Sequence, residues 1–126
     1  MKRRRPAFSM YSYGEYERWD RESKKIPRIL KITTEIEAES GTEFGYVLRI
    51  KNGKGTTISF KIEHPPFTNE IDEIAPLFTG EQFIRTNDYE FYLGDCIWEP
   101  PEDKMGIWEL TTYFEGMLVA SKKFST

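Results

Sequence analysis

The chain contains a single histidine, His64, so any mechanism that needs an imidazole must use this residue. His64 lies between Glu63 and two prolines at the end of a predicted strand, a position where catalytic side chains are often found. A carboxylate brought close by the fold would make it a general base. Three residues are candidates for that carboxylate: Asp88, Asp95 and Glu99. We favour a structural interpretation, in which His64 is a hydrogen-bonded strand-end residue that fixes the segment after it.

Acidic residues are concentrated between residues 95 and 103, in the sequence DCIWEPPED. Carboxylate oxygens are the ligands that hard cations prefer, so a metal site in this loop is a second chemical hypothesis. The four carboxylates follow no calcium-loop spacing: they are Asp95, Glu99, Glu102 and Asp103. We therefore expect no metal ion. A hydrolase or metal-dependent enzyme centred on His64 and the 95–103 loop is retained only as an alternative.

The residues that other common catalytic chemistries require are missing from this sequence. Cys96 is the only cysteine, so it has no partner for an internal disulfide or a CxxC redox pair, and we interpret it as a small buried apolar residue. No serine lies in a nucleophile elbow. Gly53 and Gly55 lie in a predicted turn between two strands, so no phosphate cradle is expected. We predict a protein without catalytic residues or cofactors.

The charge is unevenly distributed along the chain. The formal net charge is −3, with 18 basic and 21 acidic residues. Four of the basic residues form an N-terminal arm: Lys2, Arg3, Arg4 and Arg5. Residues 6–126 therefore carry 14 basic against 21 acidic groups, a net charge of −7. We predict a flexible basic arm over residues 1–6, followed by one acidic domain over residues 7–126 that is long enough to bury a single core.

The basic arm has two interpretations. Clustered lysine and arginine displace counterions from nucleic acid or anionic lipid, which suggests a phosphate-binding arm. An acidic domain repels the same polyanions, however, and short charged termini are usually solvated. Binding of nucleic acid or an anionic surface through residues 2–5 is therefore the less favoured hypothesis.

The sequence contains no apolar run of the roughly 18 residues that cross a membrane. The about 7 to 15 apolar residues of a secretory signal do not follow the basic start either. A single cysteine gives no sign of an oxidising compartment. These features predict a soluble protein in the cytoplasm, without a membrane partner.

Alternating apolar and polar residues predict β-strands through most of the chain. The clearest pattern covers residues 44–63, where FGYVLRIK and TTISFKIE each alternate with a period of two around NGKG. Asn52, Gly53 and Gly55 favour the positive φ angles of a tight turn, so we predict a β-hairpin. Seven side chains should form its apolar face: Phe44, Tyr46, Leu48, Ile50, Ile58, Phe60 and Ile62.

Two stretches before this hairpin also show strand patterns. Residues 7–17 predict a first strand, in which Gly14 marks a bulge or a close approach between backbones. Residues 30–39 alternate strictly and predict a ten-residue strand with one packed face and one solvated face. The packed face should carry Leu30, Ile32, Thr34, Ile36 and Ala38, and the solvated face Glu35, Glu37 and Glu39.

The C-terminal part predicts a strand followed by a second hairpin. Residues 82–94 alternate, with Tyr89, Phe91 and Leu93 facing inward and Tyr92 outward. The closing hairpin turns at Glu115 and Gly116, a two-residue connection that favours positive φ. Its inward side chains should be Trp108, Leu110, Phe114, Leu118, Ala120 and Phe124.

Residues 64–80 contain three prolines, follow no single period and are too long for a tight turn. In sandwich folds such a connection carries the chain from one sheet to the other, so we predict a Greek-key crossover here. Five apolar residues should close the edge of the sandwich: Phe67, Ile71, Ile74, Leu77 and Phe78. With about seven strands and no amphipathic helix of three turns, the sequence predicts an all-β, immunoglobulin-like antiparallel β-sandwich.

Short motifs spread over nearly the whole chain carry a resemblance to a known family. They are Ser12-Tyr13-Gly14, Thr34-Glu35-Ile36, Phe44-Gly45-Tyr46, Glu63-His64-Pro65-Pro66, Phe78-Thr79-Gly80, Leu93-Gly94-Asp95, Trp98-Glu99-Pro100 and the 106–124 hairpin. The sequence resembles a small bacterial domain-of-unknown-function family, numbered thirty-eight fifty-nine. The resemblance implies a bacterial, cytoplasmic, all-β protein, and it implies no activity, substrate or site.

Large aromatic side chains are the remaining candidates for contact with another molecule, because aromatic residues are enriched in binding sites. Besides His64 and the basic arm, the candidates are Tyr11, Tyr13, Trp19, Tyr92 and Tyr113. For Trp19, which lies in a charged loop, we favour a role as a cover over one end of the core. Because sandwiches expose edge strands and end loops, we predict a non-enzymatic module that binds a protein partner or its own copies.

Overall fold

The computed structural model describes residues 5–20, 25–66 and 76–126. Within these ranges, eight β-strands form two four-stranded antiparallel sheets, so the predicted β-sandwich is confirmed. The strands are β1 (Ala7–Tyr16), β2 (Ile29–Lys31), β3 (Glu43–Lys51), β4 (Thr57–Glu63), β5 (Phe78–Phe83), β6 (Asp88–Cys96), β7 (Ile107–Phe114) and β8 (Met117–Ser125). A short 3-10 helix, Pro101–Lys104, precedes β7.

Sheet A has the strand order β2-β1-β3-β6, and sheet B has the order β5-β4-β7-β8. The apolar faces of the two sheets meet in one core, whose largest fully buried side chains include Trp108, Tyr46 and Phe44. The hydroxyls of Tyr46 and Thr112 share a hydrogen bond of 2.6 Å across this core, from β3 to β7. The inward sets predicted for β3 and β4 are confirmed, although Phe60 is only partly buried.

The hairpin predicted over residues 44–63 is wrong, because β3 and β4 belong to different sheets. The backbone of the turn is bonded to the 84–87 connection instead: Asn52 N–H donates to the carbonyl of Asn87, and Gly55 N–H to the carbonyl of Ile84. The positive φ angles of Asn52 and Gly55 are confirmed, at 61° and 88°, whereas the prediction for Gly53 is wrong. Alternation predicts which side chains of each strand face the core. It does not show whether two strands are neighbours in one sheet or lie in opposite sheets.

The crossover predicted over residues 64–80 is also wrong. The segment connects β4 to β5, which are antiparallel neighbours in sheet B. The chain changes sheets at residues 52–56, 84–87 and 97–106, where the connections are shorter. The 82–94 pattern accordingly covers the end of β5, a crossover and most of β6. Of the five apolar residues expected at the sandwich edge, Phe67, Ile71 and Ile74 lie outside the described residues, Leu77 is exposed and Phe78 packs against the core.

The ten-residue strand predicted over residues 30–39 is wrong. Only β2, three residues long, pairs with β1, and one further bridge joins Glu35 to Ser125 in parallel. The chain thus moves from the edge of sheet A to the edge of sheet B within a few residues. Ile36 is buried as predicted, whereas Leu30 and Ile32 are 61% and 68% exposed.

The closing hairpin is confirmed, with Glu115 and Gly116 at φ angles of 50° and 78°. Leu118 was predicted to face inward, and this is wrong, because a bulge shifts the register between Thr112 and Tyr113. Thr112 is opposite Ala120, but Tyr113 is opposite Leu118. The bulge therefore turns Leu118 to the outer face of sheet B.

Of the two features expected at Gly14, the close approach is confirmed, whereas the bulge of β1 lies at Tyr11. The register of β1 with β3 shifts between Met10 and Ser12, which places a bulge at Tyr11. A Cβ atom on Gly14 would lie 2.0 Å from the carbonyl oxygen of Lys31, so the backbones of β1 and β2 approach closely at this residue. Only glycine permits this approach.

Candidate interaction surface

His64 follows β4, and main-chain carbonyls surround its ring. Nδ1 lies 2.8 Å from the carbonyl oxygen of Pro65, and Nε2 lies 2.7 Å from that of Pro76. The ring also packs against Phe78 and Trp108, with centroid distances of 5.0 and 5.8 Å. Each ring nitrogen thus lies within hydrogen-bonding distance of a main-chain carbonyl, and the tautomer decides which of them donates. These contacts suit a residue that ties the connection to the sandwich rather than one that receives a substrate proton.

Two of the four carboxylates in the 95–103 loop, Asp95 and Asp103, make local contacts. Oδ1 of Asp95 accepts the N–H of Cys96 at 2.8 Å. Asp103 accepts a hydrogen bond of 2.5 Å from Nζ of Lys104, which also donates to the carbonyl of Pro100 and lies 4.6 Å from the ring centroid of Trp98. Among the described residues, no three His, Cys, Asp or Glu side chains come together as ligands for a metal ion.

The outer face of sheet A carries a row of three glycines. Gly14, Gly45 and Gly94 are opposite one another on β1, β3 and β6. A Cβ atom on Gly94 would lie 2.1 Å from the hydroxyl oxygen of Tyr92. The missing side chains thus leave a shallow trough, and the Tyr92 side chain lies in it.

Aromatic residues of the same chain cover this trough. The Tyr92 ring makes edge-on contacts with Tyr16 and Trp19, at centroid distances of 5.0 and 4.8 Å. The buried members of this cluster are Tyr16, Val47 and Tyr92, and Trp19 packs against them. Nε1 of Trp19 donates to the carbonyl of Lys25 at 2.8 Å, which fixes the β1–β2 connection over the sheet. Trp19 therefore covers the outer face of sheet A and not an end of the core, and Tyr92, predicted to face outward as a contact residue, is buried.

Polar groups in this cluster are paired. The hydroxyl of Tyr92 donates to Oε2 of Glu43 at 2.6 Å, and those of Ser12 and Tyr16 share a hydrogen bond of 2.8 Å. Burial disfavours the charged phenolate and raises the pKa of Tyr16 to about 12. Burial likewise raises the pKa of Tyr46 in the core, well above its ordinary value.

The outer face of sheet B carries one exposed large side chain on each of β5 and β8, with an aromatic residue between them. Tyr113 on β7 is directly opposite Leu118, which is 61% exposed. On β5, Phe83 is opposite Thr57 and is also exposed. On β4, Nζ of Lys61 lies 5.8 Å from the Tyr113 ring centroid. We call these four residues the sheet B surface: Lys61, Phe83, Tyr113 and Leu118.

Lys61, within the sheet B surface, forms an ion pair with Glu63. Its Nζ pairs with Oε1 of Glu63 at 2.9 Å. Hydrogen bonding to Glu63, and then to Tyr113, raises the pKa of Lys61 above its ordinary value. The ammonium is therefore a fixed positive charge at neutral pH, beside an aromatic ring and an aliphatic side chain.

The remaining candidates from the sequence lie elsewhere. Tyr11, at the β1 bulge of sheet A, is 65% exposed. Tyr13 is partly buried and packs against the core, and Nζ of Lys122 lies 4.0 Å from its ring centroid. Arg5 is exposed. The structure does not describe Lys2, Arg3 and Arg4. Of the four basic residues of the predicted arm, it describes Arg5 alone.

A cleft of about 310 Å³ lies at the β1–β2 corner, where four glutamates line its wall. Three of these already bind other groups. Glu15 accepts the N–H of Glu37, Glu17 pairs with Arg28, and Glu43 accepts the Tyr92 hydroxyl. The cleft is therefore explained by local structure.

Sequence reasoning identified Tyr113 but not its neighbours. Leu118 was assigned to the core because a bulge shifts side-chain parity without changing the residue pattern. The three mid-strand glycines were the available signal for the covered face of sheet A, since glycine in a strand often marks a close approach.

In the described ranges, no helix is both long and apolar enough to cross a membrane.

Comparison with known proteins agrees with this architecture. A solved structure of an immunoglobulin-like protein from Pseudomonas aeruginosa is similar, with a TM-score of 0.78 and 21% sequence identity over 98% of this chain and 97% of that one. At this identity the similarity supports the fold alone. No curated protein matches the chain. The model of the family described as Domain of unknown function (DUF3859) matches residues 4–126, which confirms the resemblance seen in the sequence. The chain belongs to the DUF3859 family.

Proposed function

We propose that this protein is a non-enzymatic interaction module that binds another protein through the sheet B surface. The observation that carries the proposal is the pair formed by half-buried Tyr113 and exposed Leu118 on the outer face of a sheet. Outward strand faces are usually polar, and tyrosine is enriched in protein interfaces.

The contrast between the two sheets supports the choice of this face. Sheet A covers two of its aromatic residues, since Trp19 packs against Tyr92 and Tyr16, and leaves Tyr11 exposed at the β1 bulge. Sheet B presents Leu118 and Phe83 to solvent. Burying these side chains in a complex would remove apolar surface from water, which is the main favourable contribution to association.

Its sequence and geometry support a role without catalysis. The single histidine has both ring nitrogens within 2.8 Å of main-chain carbonyl oxygens. A general base needs such a nitrogen in reach of a substrate proton. We extend the proposal to the cytoplasm of a bacterium, and the single cysteine supports the cytoplasmic location.

Affinity capture from a lysate of the source cell tests this proposal with three baits: the wild type, Leu118→Asp and Tyr11→Asp. Tyr11 is the matched control, because it is equally exposed but lies in sheet A. We expect a protein that the wild type and Tyr11→Asp retain, and that Leu118→Asp loses at least about tenfold, as for a buried interface residue. Retention of the same proteins by all three baits, or of none, would contradict the proposal.

A further inference from the structure

Residues 30–35 lie at the edge of sheet A, and in the described part of the chain only some of them pair with another strand. The alternation of this segment is that of a strand with a packed face, yet its regular pairing ends at Lys31. Leu30 and Ile32, which the pattern places on the packed face, are 61% and 68% exposed. Among the described residues, strand β2 is the outermost strand of sheet A and pairs with β1 alone. We call residues 30–35 the edge segment.

Charges in and around the edge segment are arranged in two halves of opposite sign. Lys31 lies in the first half and Arg28 just before the segment, and both are exposed. Three exposed glutamates follow within a few residues: Glu35, Glu37 and Glu39. When two copies of such a sequence run antiparallel, the basic half of one lies beside the acidic half of the other. The charge pattern is therefore complementary to itself in the antiparallel arrangement.

We propose that a second copy of this chain docks on the edge segment. The two segments run antiparallel about a two-fold axis near Thr33, so that Lys31 of each copy faces Glu35 of the other. A two-fold axis makes both contacts equivalent and closes the assembly at two copies. The contact covers Leu30 and Ile32, whose exposure the fold of a single chain does not explain.

The chain bends at Thr34, where Oγ1 of Thr33 accepts the N–H of Glu35, so the two copies meet through side chains and not through continuous strand pairing. The carbonyl of Thr34 and the N–H of Ile36 are already bonded to Ser125, so this side of the segment belongs to the edge of sheet B. The side chains of Lys31 and Glu35 remain exposed. The second copy therefore meets side chains and the outer edge of β2 without displacing the bridge to β8.

Sedimentation velocity on the full chain tests the inference through a charge exchange. Lys31→Glu alone places two acidic groups together at each contact, and Glu35→Lys alone places two basic groups together. We expect the wild type to form a dimer and each variant to weaken it at least about tenfold. An equimolar mixture of the two variants restores opposite charges at both contacts, so it should dimerise like the wild type at low salt.

Two results would overturn this inference: a wild type that stays monomeric at high concentration, or a mixture that dimerises no better than either variant. Ile32→Asp should also give a monomer, whereas Leu118→Asp, equally exposed on sheet B, should keep the dimer. Circular dichroism of each variant checks that the fold is intact. The inference treats the protein as an interaction module, as the proposed function does, but uses another surface. Loss of the dimer in Leu118→Asp alone would instead assign self-association to the sheet B surface.

Discussion

The hydroxyl of Tyr92 donates a hydrogen bond of 2.6 Å to Oε2 of Glu43, and both residues are buried on the outer face of sheet A. The same hydroxyl lies 3.0 Å from the carbonyl oxygen of Phe44. A carboxyl group at 1% exposure needs such donors, because water no longer solvates it. The pair joins β6 to β3 and fixes the aromatic cluster in the glycine trough.

Removing the Tyr92 hydroxyl should destabilise the protein. Tyr92→Phe keeps the ring contacts but withdraws a donor from a buried carboxyl group, so we expect the free energy of unfolding to fall by about 1–3 kcal/mol. Urea denaturation followed by tryptophan fluorescence measures the change. Tyr11→Phe is the control, since Tyr11 is exposed, and it should change stability by less than about 0.5 kcal/mol. Equal effects of the two variants would disprove the role of this hydrogen bond.

The glycine trough predicts a large difference between two glycine substitutions. A Cβ atom on Gly45 would lie 2.1 Å from the carbonyl oxygen of Leu93, and backbone cannot move aside as a side chain would. We expect Gly45→Ala to cost at least about 3 kcal/mol or to prevent folding. Gly41 also has a positive φ, of 94°, but nothing lies within 4 Å of its added Cβ.

Gly41→Ala serves as the matched control for Gly45→Ala, and it should cost only about 1–2 kcal/mol through backbone strain. Thermal and urea unfolding of both variants give the comparison. Similar losses at the two positions would show that conformation, and not close packing of the strands, decides the effect.

Buried tyrosines predict a loss of stability at alkaline pH. The pKa of Tyr16 in the folded protein is about 12, and that of an unfolded tyrosine is about 10. A raised pKa means that the fold favours the neutral phenol, so this contribution is complete below pH 10 and declines as the pH rises toward 12. Tyr46 acts in the same direction.

Tyr16→Phe should reduce the decline in unfolding free energy above pH 10 by up to about 1.4 kcal/mol per pH unit. Urea titrations at pH 9, 10 and 11 on the variant and the wild type measure both slopes. If the slopes coincide, the phenol of Tyr16 titrates alike in the folded and unfolded chains, contrary to our expectation.

Lys104 should stabilise the loop before β7 despite its charge. Its Nζ donates to the carbonyl of Pro100 and to Asp103, above the ring of Trp98, while the residue is 2% exposed. Lys104→Met keeps the aliphatic stem and removes the donors, so we expect a loss of about 1–3 kcal/mol in unfolding free energy. Lys123→Met, at an exposed position of β8, should leave stability and tryptophan emission unchanged. An unchanged unfolding midpoint in Lys104→Met would refute this role.

The sequence was sufficient to predict the strands but not their partners. Phe44, Tyr46, Leu48 and Ile50 line the core as their alternation indicates. That alternation is local, whereas the bonds from residues 52–56 to the 84–87 connection are formed between distant segments. The closing hairpin was predictable because Glu115 and Gly116 form a two-residue turn, which fixes the pairing of its own strands.

The surfaces were harder to predict than the core. Tyr92 follows an outward pattern and is nevertheless buried, because Trp19 from a distant loop covers it. Leu118 follows an inward pattern and is exposed, because one bulge reverses parity. In both cases the deciding contact depends on tertiary structure, which residue types and spacing do not encode directly.

The most direct test of the proposed function is site-specific photo-crosslinking in the source cell, with a benzophenone amino acid at position 118 or at position 11. We predict a discrete adduct with one other protein from position 118, and none from position 11. An adduct formed from position 11 but not from position 118, or no adduct from position 118, would contradict an interaction through the sheet B surface.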